Sequence, residues 1–288
     1  MQGKVKVITR FAPSPTGPLH LGHAYAALFA HDMARSAGGR FLLRIEDIDR
    51  ARAKPGWEAQ IFDDLRWLGL TWDGPVMRQS DRLNIYRESL EKLWNSGLLY
   101  ACSCSRRDIE EAASAPQEGV ALGPDGPVYP GTCRLKGAPE PGQPLPQAAL
   151  RLRMDLAATP CSFEETGPAQ RGVHSITPAQ MISEVGDVVL ARRDMGTSYH
   201  LSVVLDDAAQ GITHVTRGED LFDATKIHVT LQKLLQLPTP SYCHHGLIRD
   251  EAGKRLAKRD DARALSRYRA EGASPADIRR LLGLSPSA

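Results

Sequence analysis

Long apolar runs are missing from this chain of 288 residues. No stretch approaches the roughly 20 residues a helix needs to cross a bilayer, so no membrane role is expected. The opening residues, MQGKVKVITRF, have no apolar core and no small-residue cleavage site, so no signal peptide is expected either. An excess of one charge is also missing. Lys and Arg number 36 against 34 Asp and Glu, a net charge of +2. That balance allows a nucleic-acid partner without demanding one. Cysteine is scarce: there are five, an odd number. An odd count without a secretory signal argues against a disulfide framework. It points to a reducing cytoplasm, with metal binding as the use for clustered thiols. No internal repeat and no coiled-coil heptad is found. What remains is 42% hydrophobic and 24% charged, the composition of an ordinary globular enzyme. The length suffices for one large core, or for a domain carrying a sizeable insertion.

Strand and helix patterns alternate along the first hundred residues. Residues 4–12 read as a buried strand, 20–36 as a helix closed by Gly38-Gly39, and 40–47 as a second strand. Helices are expected at 57–68 and 82–95, and a third strand in GLLYACSC, 97–104. After 186 the pattern returns, with strands at 187–194 and 212–220, helices at 198–210 and 222–236, and a last strand within 242–250. Such alternation predicts an α/β fold on a doubly wound parallel sheet. Between 116 and 146 lie eight of the twenty prolines, which excludes long regular elements there. The expected division is therefore a first half of the α/β domain at 1–100, an inserted small subdomain at 101–187, the second half at 188–245, and a loop with a helical tail at 246–288.

The turn between the first strand and the first helix, PSPTGPLHLGH at 13–23, is dense in Pro and Gly. A helix that opens from such a turn presents free backbone N–H groups and a partial positive charge, which suits phosphate. His20 and His23 are three residues apart and can face one ligand, and Gly22 leaves room for close approach. Taken alone, H-x-x-H is as compatible with two surface histidines on a rigid turn.

The whole string RFAPSPTGPLHLGH, 10–23, resembles the HIGH signature of class I aminoacyl-tRNA synthetases, and of their glutamyl and glutaminyl branch in particular. RIEDIDR at 44–50 resembles the branch's acidic run. GTSYHLSVVLDDAAQGITHVTRGEDL at 196–221 resembles its second substrate block. GKRLAKRD at 253–260 stands where the KMSKS loop would be, with Arg255, Leu256, Ala257, Lys258 and Arg259 on its five letters. Ala257 replaces the serine, which removes one hydroxyl donor. The chain ends about 40 residues after its last expected sheet strand. The large helical anticodon domain of a discriminating glutamyl-tRNA synthetase is therefore not expected, and the chain resembles the truncated glutamyl-Q tRNA(Asp) synthetases.

The resemblance implies a Rossmann-type catalytic domain bearing a small zinc subdomain. It also implies an adenylate-forming ligase for L-glutamate and ATP with Mg²⁺, acting as a monomer in the cytoplasm. Glutamate would be esterified to queuosine at the first anticodon position of tRNA(Asp). A pocket for glutamate needs guanidinium donors for two carboxylates and an acceptor for the ammonium. Arg10 and Arg217 suit the first, Glu46 the second, and Tyr199 can add a phenolic bond. The resemblance implies the same positions, with Phe11, Ala12, Pro13 and Ser14 completing the 10–14 stretch. His20, His23 and Lys258 would stabilise the phosphate charge as the catalytic groups. Gly22, Arg255 and Leu256 would join them around ATP. Asp206 and Asp207 read as solvated or capping acids.

Cys102, Cys104 and Cys133 offer three thiolates, which suits zinc, and the resemblance places Tyr129 as the fourth ligand. Cys161 and Cys243 read as core thiols. His244 and His245 are adjacent on a strand, point to opposite faces, and are not a metal pair. In the tail, Arg263, Arg267, Arg269, Arg279 and Arg280 recur near helical spacing, either as a basic face for RNA or as an ordinary solvated face. Two other functions remain open: a synthetase fragment that charges a tRNA 3′ end, and a catalytically inactive RNA-binding paralogue.

Overall fold

The computed structural model describes residues 6–113, 121–140, 142–248 and 263–285. Among the described residues twelve strands run in chain order. They are β1 (Ile8–Phe11), β2 (Arg40–Ile45), β3 (Met77–Arg78), β4 (Leu99–Cys102), β5 (Leu122–Gly123), β6 (Gly126–Pro127), β7 (Ala149–Leu152), β8 (Cys161–Glu165), β9 (Gly172–Ile176), β10 (Val189–Ala191), β11 (His214–Gly218) and β12 (Ser241–His245). The first three pair in parallel in the order β1-β2-β3, and β11-β12-β8 are also parallel. Thr213 N donates to Ile8 O at 3.0 Å, which sets β11 beside β1. The strand order therefore reverses between β1 and β11. Ligands bind at the carboxyl ends of the strands at such a point.

Sequence explains the parallel sheet directly. Five of the six residues of β2, RFLLRI, are buried, the near-continuous apolar run of a strand covered on both faces. Helix α1 (Leu21–Ser36) covers it by packing Leu21, Ala24, Ala27, Leu28, Ala30 and Ala34 inward. Its alanines allow close approach, and Gly39 follows because a Cβ there would lie 2.0 Å from Val7 O. Helices α2 (Pro55–Trp67) and α3 (Leu83–Asn95) stand where the periodicity puts them.

The structure corrects two strand expectations. β4 and β10 do not enter the parallel sheet. Both pair antiparallel with β7 in a separate sheet, in the order β10-β7-β4. Conversely β8, within the stretch expected to be an insertion, pairs parallel with β12. Hydrophobic alternation reports burial but not the neighbouring strand, so it could not make these distinctions. The tail packs back on the domain: Leu265, Ile278 and Leu282 join the core under α1 and α2. No described helix is long and apolar enough to cross a membrane.

Candidate active site

Charge is concentrated where the strand order reverses. Arg10, near the end of β1, donates from Nε and Nη2 to the two carboxylate oxygens of Asp207 at 2.9 and 3.3 Å, and from Nη1 to Thr216 O at 3.2 Å. Arg44 of β2 donates to Asp207 Oδ1 at 2.6 Å and to Glu46 at 3.1 Å. Asp206 accepts from Gln79, Arg82 and Tyr86 at 2.7–3.0 Å. Neither aspartate is the solvated or capping acid expected, since both are buried. Burial alone would push Asp207 up, but Arg10 and Arg44 hold it below the usual carboxylate range. Burial wins at Glu46, whose carboxyl is raised despite Arg44 and Arg10.

Arg217, near the end of β11, has every guanidinium nitrogen engaged by the protein. Nε donates to His244 Nε2 at 3.0 Å, Nη1 to His228 Nδ1 at 2.9 Å and Nη2 to Thr225 Oγ1 at 2.6 Å. Three of its five N–H bonds are thus used, and two remain. His228 sits well below the normal imidazole range because it is buried and because Arg217 is cationic, so it is neutral. Its Nε2 lies 3.1 Å from His200 Nδ1, and His200 Nε2 lies 3.6 Å from Asp125, in the turn between β5 and β6.

A cavity of about 460 Å³ opens above these groups. Ser14, Glu46, Tyr199, His200 and Asp125 are among the residues that line it. Arg10 and Arg217 do not line it, but both act electrostatically on Tyr199, which does. Of the 10–14 stretch, Phe11 is buried in the core beneath α1 and Pro13 is buried with its carbonyl accepting from Glu46 N. Ala12 is half-buried and Ser14 exposed.

The turn before α1 is built by its two histidines. Gly22 N donates to His20 Nδ1 at 3.1 Å, and His20 N donates to His23 Nδ1 at 3.2 Å, a reciprocal cap. The ring centroids are 3.8 Å apart. Because each Nδ1 accepts, each neutral ring carries its proton on Nε2. The tail returns to this turn, where Leu265 N donates to Leu19 O at 2.8 Å and Ala264 bridges His20. Arg255, Leu256, Ala257, Lys258 and Arg259 lie outside the described residues.

The thiols of Cys102, Cys104 and Cys133 lie within 4.8 Å of one another, and Cys104 and Cys133 are 3.4 Å apart. Tyr129 Oη lies 3.5 Å from Cys102 and 3.3 Å from Cys104, and it accepts from Cys133 N at 2.9 Å. Sulfurs on a tetrahedral zinc with bonds of about 2.3 Å would stand roughly 3.8 Å apart, so three soft donors at this spacing fit the ion.

Against known proteins, residues 6–287 match the family described as tRNA synthetases class I (E and Q), catalytic domain. The chain belongs to this family. A glutamyl-Q tRNA(Asp) synthetase of Rhodobacter capsulatus is 80% identical over 96% of the chain and the whole of that protein. Another of that name, from Nocardia farcinica, is 43% identical over 96% of the chain and 85% of that protein. The crystal structure of a glutamate tRNA ligase from Elizabethkingia meningosepticum, in complex with its amino acid, superposes with a TM-score of 0.75 at 29% identity. The match covers 96% of this chain and 60% of that ligase. A methionyl-tRNA synthetase of Mycobacterium tuberculosis, 14% identical with a TM-score of 0.59, shares the fold.

Within this class I synthetase chain the expected residues divide. Ser14, Glu46 and Tyr199 meet at one cavity, the two arginines stand behind it, and the histidine pair caps α1. Sequence reasoning missed Asp207, Arg44, His228 and Glu165. The signal was there for Asp207: DD inside an apolar helix pattern is an unusual place for a solvated acid. The tail arginines are also corrected. Arg279 is buried and donates to both oxygens of Asp32 at 2.7 and 2.8 Å, Arg269 pairs with Asp63 at 2.6 Å, and Arg280 pairs with Asp277. Two of the five therefore hold the tail to α1 and α2 rather than form one basic RNA face. His244 and His245 do face opposite ways, His244 toward Arg217 and His245 toward Tyr25 of α1. Cys243 is buried as expected, while Cys161 is only half-buried.

Proposed function

We propose that this chain activates L-glutamate with ATP and transfers it to queuosine in tRNA(Asp). The observation that carries the reading is the convergence of Glu46, Tyr199 and the fixed cation Arg217 where the strand order reverses, next to a helix mouth capped by two histidines. Glutamate brings two carboxylates and one ammonium. Arg217 retains two N–H bonds for a carboxylate, and Arg10 adds positive potential. Glu46, raised by burial, gains an ionic partner when the ammonium arrives. Tyr199 supplies a phenolic hydrogen bond.

The α-carboxylate is ionised at neutral pH, so its attack on the α-phosphorus, which breaks the bond to the β-phosphate and releases pyrophosphate, needs no general base. Negative charge grows on the phosphate oxygens over α1. The Nε2–H groups of His20 and His23 and the helix N-terminus stabilise it, and Lys258 would add a cation, as the resemblance implies. Mg²⁺ bound with ATP would neutralise part of that charge. A hydroxyl of queuosine then attacks the activated carbonyl and AMP leaves. Cys102, Cys104, Cys133 and Tyr129 would hold one structural zinc, which staples a stretch rich in proline. Elemental analysis of purified protein should give one zinc per chain, and its absence would remove that assignment.

The deciding test has two arms. Glutamate-dependent ATP–pyrophosphate exchange without tRNA should proceed, which an inactive RNA-binding paralogue would not support. Labelled glutamate should then appear on tRNA(Asp) that carries queuosine and not on tRNA(Asp) that lacks it. Label on the 3′ end of tRNA(Glu) would overturn the reading.

A further inference from the structure

Glu165 and His244 are buried, titratable and unused by the reaction above. Glu165, at the end of β8, is 1% exposed, and His244 of β12 is 3% exposed. Glu165 Oε1 accepts two backbone donors, Gly167 N at 2.6 Å and His244 N at 2.9 Å. Glu165 Oε2 lies 2.5 Å from His244 Nδ1. A carboxylate only accepts, so His244 Nδ1 carries the proton there. In a neutral ring Nε2 is then an acceptor, and Arg217 Nε donates to it at 3.0 Å. His244 is held neutral, near 4, by its burial and by Arg217.

We infer that Glu165 is a positioning residue: it fixes the tautomer of His244, and that tautomer fixes the guanidinium plane of Arg217 for glutamate. The inference rests on Arg217 being the glutamate-binding cation. Order runs outward from Arg217 in both directions. One branch goes through His244 to Glu165, and the other passes through His228 to His200 at the cavity wall. Each imidazole can play its part in only one tautomer. A wrong proton on His244 would set its Nε2–H against Arg217 Nε–H, two donors 3.0 Å apart, and turn the guanidinium away.

E165Q creates that fault with little change of shape. The two backbone N–H groups pin the amide oxygen where Oε1 was, so the amide nitrogen must face His244 Nδ1 as a donor. His244 must then accept at Nδ1 and carry its proton on Nε2. The expected result in ATP–pyrophosphate exchange is a rise of about ten-fold or more in the KM for glutamate, with kcat and the KM for ATP within about twofold of the parent. Two-bond ¹H–¹⁵N spectra of the imidazoles should show an Nδ1-protonated His244 in the parent protein and an Nε2-protonated one in E165Q. A merely structural role would not move the tautomer signal.

R217A separates this inference from the reading beneath it. If R217A raises the glutamate KM while E165Q does not, the inference falls and the reading stands. If R217A leaves that KM unchanged, the reading itself falls. Should E165Q fail to fold, the parent spectrum still decides, because an Nε2-protonated His244 in the native enzyme overturns the inference.

Discussion

Asp207, beneath the active site, and Asp64, on α2, are equally removed from water, at 5% and 1% exposure. Their carboxyls shift in opposite directions. Asp207 is held below the usual range because Arg10 and Arg44 overcome its burial. Asp64 is pushed up to about 6, by burial first and by the neighbouring Asp63 second. Asp64 Oδ2 has no hydrogen-bond partner among the described residues. Asp32 is also depressed, to about 2: Arg279 and His31 bond to it, and its side chain is 42% exposed. Exposure therefore does not set the direction among these three aspartates; bonded guanidiniums do, two at Asp207, one at Asp32 and none at Asp64 among the described residues, whereas at Glu46 burial outweighs Arg44 and Arg10.

The sharpest way to break this comparison is Asp207→Asn. It leaves Arg10 and Arg44 buried with one anion fewer, a fault that costs about 3–5 kcal/mol. The sign with pH follows. Asp207 is depressed on folding, so its contribution is present above the unfolded carboxylate value and is lost as pH falls below it. Urea unfolding of the parent should weaken toward acid, and the variant should lose most of that slope. Equal midpoints at pH 7 would show that the arginines find their compensation elsewhere.

A smaller loss is expected from Arg279→Met. The methionine keeps most of the buried stem but drops both bonds to Asp32, at about 1–2 kcal/mol for a half-exposed charged pair. Asp32 is likewise depressed, so the difference between parent and variant should be full at pH 7 and fade as pH falls from the ordinary aspartate value toward 2. Hydrogen exchange should place the loosening in the helix Pro275–Leu281 and spare the residues around Asp207.

Much of this candidate site is legible because its residues are compressed into short strings. The turn at 13–23 could be read as an anion-binding helix mouth from its prolines, glycines and paired histidines. Glu46, Tyr199 and Arg217 could be placed at element ends by periodicity. The residues that were not legible act across the fold. Asp207 meets Arg10 and Arg44 from nearly 200 and more than 160 positions away. Glu165 meets His244 from 79. Nothing local names the partner in such a pair, even where an apolar helix pattern makes Asp207 an odd place for a solvated acid. The same limit misplaced β4 and β10: an apolar alternation says a strand is covered but not which strand lies beside it. The tail arginines do not share one helix: Arg267 and Arg269 lie in Leu265–Ala270 and Arg279 and Arg280 in Pro275–Leu281, where Arg279 turns inward to Asp32 on α1.

The effect expected at Asp64 has the opposite sign, which makes it the strictest check on the comparison. Asp64 is raised on folding, so the folded state binds its proton more tightly than the unfolded chain does. Its contribution is favourable below the unfolded value near 3.8 and is lost as pH rises through about 6. Above that the ionised carboxylate sits buried without an arginine bound to it. Arg269, the nearest cation named in its shift, donates instead to Asp63 at 2.6 Å. Asp64→Leu keeps the branching with somewhat larger methyl groups, removes the charge and stays compatible with a helix. At pH 8 it should stabilise the protein by about 2 kcal/mol relative to the parent, and at pH 4 the gain should shrink toward zero. The Asp207 variant should instead stay destabilised across this range, its deficit fading only below the ordinary carboxylate value. If Asp64→Leu destabilised equally at both pH values, packing rather than ionisation would govern this site, and the contrast with Asp207 would rest on geometry alone.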